Sequence, residues 1–440
     1  MIDNILQLND DCLMRIMGHL KLIDLCAVAE TCTHLKWVAV AGEAFAYRKK
    51  TYGMPQNGIK FKDHRRILKT FGNFVTTVTC ITNFSDIGLN TRQMISAFKW
   101  LEVYCAESLK HINIIGMEKI DLPPSAIRLM PKLQRIDFSM PISDRMLRKA
   151  LWNCNELVEL NLMMYEGPFH LQDHRFPQLE KLSNRVRLNR DTDFNKIETF
   201  FRHHTKLTSL STQFLINYHG DRAIDFAFLK HLPDLKKLSL ILVGEPIVGT
   251  EAFAYLKNLQ EFSVDSSRDK RTDALILENL ASVDSLVKLV LELPEVGHLV
   301  AGIGRFKKLS KLEISSNGVY PHGTFDNANI SSLSQLRDST LTELEIGCIK
   351  LLEPESIVNV VRNLNKLKIL KLYCETELSE TICLRLANVC SSQRRKLIII
   401  LEKEVVDDMN FDFDYIGTFN KNHGSFVEVK IDTCPLKLND

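Results

Sequence analysis

The sequence has few aromatic residues, 8%, and no surplus of either charge: 56 Lys and Arg stand against 54 Asp and Glu, a formal net charge of +2. That balance offers no electrostatic footprint for nucleic acid or for an anionic membrane surface, so neither partner is expected. No run approaches eighteen uninterrupted apolar residues, and Met1-Ile-Asp-Asn does not open a signal-type segment; a membrane span and secretion are not expected either. The 11 cysteines have no paired spacing. They read as small buried hydrophobes in a reduced, intracellular compartment, the cytoplasm, the nucleus or both.

Catalytic signatures are equally scarce. There is no Gly-rich phosphate loop, no H-E-x-x-H and no C-x-x-C. His170 and His174 have a spacing that could bind metal, but only Asp173 stands near them, and the pair reads as part of a loop. Cys374, Cys383 and Cys390 are too widely spread for a zinc knuckle. His203 and His204 close an expected helix, where cationic or hydrogen-bonding side chains are favoured anyway. No enzymatic activity, metal or cofactor is therefore expected, and function has to lie in surfaces.

The densest message lies in residues 6–39. Leu13, Ile16, Met17 and Leu20 recur at helical spacing, with Asp10 as the expected N-cap. Leu25, Val28, Ala29 and Cys32 repeat the pattern, and Thr33 is read as the cap of a third helix carrying Leu35, Val38 and Ala39. A three-helix unit of this size is marginal alone. Either it leans on the rest of the chain or it lends apolar surface to a partner.

The run resembles the F-box, the motif by which substrate receptors dock on the Skp-type adaptor of a cullin-based ubiquitin ligase. Leu8, Asp11, Leu13, Ile16, Met17, Leu20, Asp24-Leu25, Val28 and Cys32 carry the resemblance. It departs in two places: Leu8-Asn9 replaces the usual Leu-Pro, and Leu35 replaces the usual Trp, with Trp37 two positions on. The resemblance implies an adaptor-binding set of Leu8, Leu13, Ile16, Met17, Leu20, Leu25, Val28 and Cys32. Without it, the same helices read as a cap on the following domain.

Residues 48–70 are basic and turn-prone. They read as a solvated linker with one packed helix (Ile67, Leu68, Phe71), the alternative being a contact for nucleic acid or an acidic partner. From about residue 75 a pattern of apolar, two polar, apolar, polar, apolar residues recurs. Clear copies begin at Leu109, Leu133, Leu157, Leu235, Leu259, Leu286, Leu309, Leu341, Leu367 and Phe426. Weaker ones begin at Val75, Leu179, Leu207 and Leu397, and successive starts lie 22 to 34 residues apart.

Alternation puts the second and third apolar positions on one face of a short strand. The intervening stretches Ser143–Asn153, Asp193–Phe201, Ser356–Leu364 and Ser379–Val389 have amphipathic helical patterns. Period and pattern resemble leucine-rich repeats; the copy at Leu309, with Leu312, Ile314, Asn317 and Val319, carries the fullest signature.

The expected fold is α/β. A small all-α three-helix F-box precedes a curved leucine-rich-repeat solenoid with parallel strands on its concave side and helices on its convex side. The expected boundaries are 1–47, a linker at 48–70, repeats at 71–434 and a tail at 435–440. The polar residues between the apolar ones should project from the concave sheet, and Glu261, Asp265, Glu313, Glu343 and Glu345 form an acidic concentration among them, broken by Lys288 and Lys311. That row is either a solvated face or a target groove. The F-box resemblance implies a non-catalytic substrate-recognition subunit of an SCF-type ubiquitin ligase, holding a Skp-type adaptor, through it a cullin, and an unknown protein target. The alternative is an intracellular leucine-rich-repeat scaffold with no ubiquitin link.

Overall fold

The computed structural model describes residues 5–41, 51–55, 58–82, 88–117, 121–162, 171–188, 194–216, 223–243, 247–266, 270–292, 299–315, 327–336, 339–347, 353–373, 380–402 and 413–432. His170, Asn317, Val319 and Cys374 lie outside them. The chain divides into two compact units: Met1–Arg187 with Asn195–Lys206, and Leu188–Phe194 with Leu207–Asp440.

The first unit opens with helices α1 (Asp10–Gly18), α2 (Leu22–Ala29) and α3 (Thr33–Ala41). The cap of α1 is Asn9 rather than Asp10: the Asn9 side chain accepts the Cys12 amide at 2.9 Å, and Asp10 and Asp11 fall in the first turn, where the helix dipole favours them. At α3 the Leu35 amide bonds to the Cys32 sulfur at 3.4 Å, so Cys32 does the work expected of Thr33.

Strand β1 (Thr51–Met54) and helix α4 (Phe61–Phe71) follow, inside the stretch read as linker. Ile67, Leu68 and Phe71 of α4 are fully buried, and α2 packs on this helix. Arg66 clamps Glu30, just past the end of α2, through Nε at 2.9 Å and a second nitrogen at 2.5 Å. The three-helix unit therefore does lean on the chain that follows it.

Strands β2 (Thr77–Thr82), β3 (His111–Gly116), β4 (Arg135–Ser139), β5 (Glu159–Leu162) and β6 (Lys181–Leu188) join β1 in one sheet, each parallel to the one before. Between them run α5 (Thr91–Tyr104), α6 (Pro124–Leu129) and α7 (Asp144–Ala150), and α8 (Phe194–His203) closes the unit. Repeat residues fall in register: Val78, Ile112, Ile136, Leu160 and Leu182 form one buried row. Ser143 caps α7 by accepting the Met146 amide, and Leu147, Ala150 and Leu151 turn inward.

The second unit repeats the scheme. Strands β7 (Ser209–Ile216), β9 (Lys237–Val243), β11 (Glu261–Ser266), β12 (Lys288–Glu292), β13 (Lys311–Ser315), β14 (Glu343–Gly347), β15 (Ile369–Tyr373), β16 (Leu397–Glu402) and β17 (Val427–Asp432) pair in that order, all parallel. A short pair, β8 (Ile224–Asp225) with β10 (Ile247–Val248), stands apart. Helices α9 (Lys270–Leu280), α10 (Val300–Ile303), α11 (Asn327–Ser332), α12 (Pro354–Asn363), α13 (Glu380–Ser392) and α14 (Phe413–His423) fill the crossovers. Parallel strands require such crossovers.

The repeat assigned to Leu397 differs from the expected frame, while the one at Phe426 keeps it. Ile399 and Val429 align with Leu370, which puts Lys396 and Phe426 at the first repeat position. Lys396 is exposed and Phe426 is 36% exposed, and the residues after them, Leu397 and Val427, are buried. The copy assigned to Leu397 is thus displaced by one residue, enough to exchange the two faces of a strand.

Candidate protein-interaction surfaces

On α1–α3 the apolar residues divide into two sets. Leu13, Met17 and Leu25, expected to face an adaptor, are buried in the unit itself together with Cys26, Ala29, Leu35 and Val38. Leu13 is 1% exposed, so a partner has nothing of it to cover. The reason is helical geometry: Leu13 and Met17, four residues apart, share the face that meets the other helices, and Ile16 points elsewhere. Ile16 is 42% exposed, and Leu8, Leu20, Val28 and Cys32 are half-buried. Ile5, Leu6 and Trp37 add further exposed apolar surface that periodicity missed, because none continues the stripe of α1.

On the second unit the five target-face candidates do come together. Glu261 and Asp265 stand on β11, Glu313 on β13, and Glu343 and Glu345 on β14, all at the alternate positions that face away from the buried row. Lysines interleave with them. Lys237 reaches Glu261 at 2.7 Å, and Lys288 reaches Glu313 at 3.5 Å. Lys311 and Lys371 flank the β14 pair: Lys311 lies 2.9 Å from Glu343 and 3.5 Å from Glu345, and Lys371 lies 3.0 Å and 3.3 Å from the same two.

Partial burial acts against ionisation of both Glu343 and Lys371. Bonds from Lys311 and Lys371 outweigh it at Glu343 and hold that carboxyl below its ordinary range, and Glu343 and Glu345 together hold the Lys371 ammonium above its own. The row is thus a set of compensated pairs more than an acidic field.

One carboxylate was missed. Glu292 sits beside Asp265 in the register, and its proton affinity is raised by burial first and then by Asp265 and Glu313. The signal was available, since Glu292 follows Leu291 as Asp265 follows Val264. Nearby, Ser209, Ser211, Ser239 and Ser263 leave a depression of about 320 Å³, because their side chains are too short to fill the face.

Among the described residues no group of His, Cys, Asp and Glu could hold a metal ion. His174 is buried, with Nε2 3.2 Å from the Arg148 carbonyl oxygen. His204 accepts the Phe176 amide on Nε2 at 2.9 Å, and its Nδ1 lies 2.6 Å from the Phe200 carbonyl oxygen, which makes it a neutral Nδ1–H tautomer. Burial depresses its pKa to about 4. The thiols of Cys80, Cys105 and Cys154 are pushed up to about 12 by burial, far from a reactive thiolate. No helix of the described residues is long and apolar enough to cross a membrane.

The F-box domain family matches residues 5–36. The chain begins with an F-box domain. F-box domains bind Skp-type adaptors, and neither they nor repeat arrays of this kind are generally catalytic. No curated protein matches the chain. Among solved structures, internalin C2 from Listeria monocytogenes is similar at 18% identity, over 46% of this chain and 74% of its own, with a TM-score of 0.27. A TLR13–ssRNA13 complex is similar at 15% identity, over 95% of this chain and 60% of its own, with a TM-score of 0.38. The repeat fold rests on the register and burial of the chain's own strands.

Both departures of this F-box from its family pattern have structural roles. Asn9, in place of Pro, caps α1. Leu35, in place of Trp, is buried among the three helices, while Trp37 is 59% exposed.

Proposed function

We propose that the chain is the substrate-recognition subunit of an SCF-type ubiquitin ligase. The F-box would dock a Skp-type adaptor and through it a cullin, and the repeats would hold a protein target. The observation that carries this reading is the F-box match over residues 5–36, together with the apolar side chains that this segment leaves exposed. Ile5, Leu6, Leu8, Ile16, Leu20 and Trp37 are the proposed contact set, with Val28 and Cys32 beside them; Leu13, Met17 and Leu25 hold the domain together behind it.

Such a receptor needs no nucleophile. It raises the effective concentration of a bound target near the conjugating machinery, and transfer is done by other subunits. The compensated face of β11–β14 is the proposed target surface. Breaking its pairs to admit a partner has a desolvation cost that a complementary partner must return.

Co-expression with a Skp-type adaptor tests the reading. Wild type should co-purify with the adaptor and Ile16→Asp should not, while both keep the same thermal stability. Failure of the wild type to retain the adaptor would leave the repeat array as a scaffold with no ubiquitin link.

A further inference from the structure

On α6, on α7 and just beyond them the first unit carries a groove of about 1010 Å³ that neither the F-box nor the sheet face uses. Its walls bring together two kinds of side chain. Arg128, Arg145, Arg148 and Lys149 supply positive charge, and no acidic side chain lines it among the described residues. Ile127, Pro131 and Trp152 supply the apolar part. Trp152 is 62% exposed, so its ring is open to a partner.

Arg145, Arg148 and Lys149 recur at the spacing that lines up one face of α7, and Trp152 lies two residues past its end. Its far end is braced from below. The buried His174 ring meets Trp152 edge-on at 6.3 Å between centroids and bonds to the Arg148 carbonyl oxygen. The aromatic anchor is thus held in place before any ligand arrives, which lowers the entropy lost on binding.

The charges are not equivalent. Arg128 is spent on Glu102, with contacts at 2.5 and 2.8 Å. Arg145 and Lys149 have no ion-pair partner among the described residues and are both exposed. Carried four residues apart, they are staggered by about 6 Å along the helix. Staggered cations beside an apolar ring suit a row of carboxylates. A single phosphate calls for convergence on one point, and single-stranded nucleic acid calls for successive aromatic platforms.

We propose that this groove docks a carboxylate-rich protein segment whose apolar side chain seats on Trp152. The site is separate from the F-box and needs no ubiquitin link; only its use as a route for targets rests on the receptor role proposed above.

The test is selection of displayed random peptides on the purified full chain, followed by affinity measurement on wild type, Trp152→Ala and the double variant Arg145→Glu with Lys149→Glu. All three substituted positions are exposed, so the variants should melt with the wild type. The expected result is enrichment of peptides combining Asp or Glu with Phe, Leu or Ile. Each variant should weaken their binding by about tenfold or more. Failure to enrich acidic sequences, or equal affinity across the three proteins, overturns the proposal. So does an oligonucleotide or a phosphopeptide that outcompetes the selected peptides with the same dependence on the variants. Adaptor recovery, measured alongside, should be the same for all three. Its loss from the wild type would count against the receptor role and leave the groove untouched.

Discussion

The N-terminal helices and the repeats behind them are both made of short amphipathic pieces, yet they dispose of their apolar residues differently. In the repeats each inward residue has neighbours in register on the strands beside it, and Leu238, Leu289, Leu312 and Leu344 are fully buried. In α1–α3 there are too few layers to cover every large side chain, so Ile5, Leu6, Ile16 and Trp37 stay at the surface even though α4 shields α2. A stacked array buries apolar surface by repetition, whereas a three-helix unit is left with a remainder, and that remainder is available to a partner.

The sharpest way to break the contrast is at the repeat core. Leu312→Ala should destabilise the second unit by about 2–5 kcal/mol, with lost hydrogen-exchange protection spreading to strands β12 and β14. Loss confined to β13 would mean that the repeats do not support one another.

A pH-dependent effect of similar size is expected at His204 in the first unit. Its folded pKa, about 4, lies below the ordinary 6.5. Above pH 6.5 the ring is neutral in both states and its contribution is fully present. As pH falls towards 4 the unfolded chain takes up a proton that the folded chain refuses, so stability drops by up to roughly 3 kcal/mol. Thermal melts across this window should show a shallower pH slope for His204→Gln than for wild type; parallel slopes would place the effect elsewhere.

Smaller effects distinguish the two regions further. Asn9→Ala removes the cap of α1 and should cost about 1 kcal/mol, read by chemical denaturation of the N-terminal helices. Lys371→Met removes one of the two cations around Glu343 and Glu345. Because the pair is partly solvated, about 1 kcal/mol or less is expected, and the loss should shrink for Lys311→Met if Lys371 is the dominant partner. Ile16→Asp should change stability by no more than about 0.5 kcal/mol while abolishing adaptor retention. A large destabilisation would show that Ile16 belongs to the core, with Leu13.

By itself the sequence determined the repeats, their parallel strands and the presence of an F-box, since all three depend on local periodicity and on residue types at short spacing. The placing of Glu261, Asp265, Glu313, Glu343 and Glu345 on one face followed from the same alternation, whereas at Leu397 the strand is displaced by one residue from the frame that alternation suggests. Only the tertiary structure decided which side of each amphipathic helix was the inner one. Leu13 and Ile16 are equally apolar and three residues apart, and packing against α3 separates them. Only the fold showed that Lys311 and Lys371 close on the same two carboxylates, because ion pairing across strands depends on neighbours 26 to 34 residues away. The groove at Trp152 was equally illegible in one dimension: its walls come from separate repeats, and exposure is a property of what fails to pack over a residue, which no local pattern records.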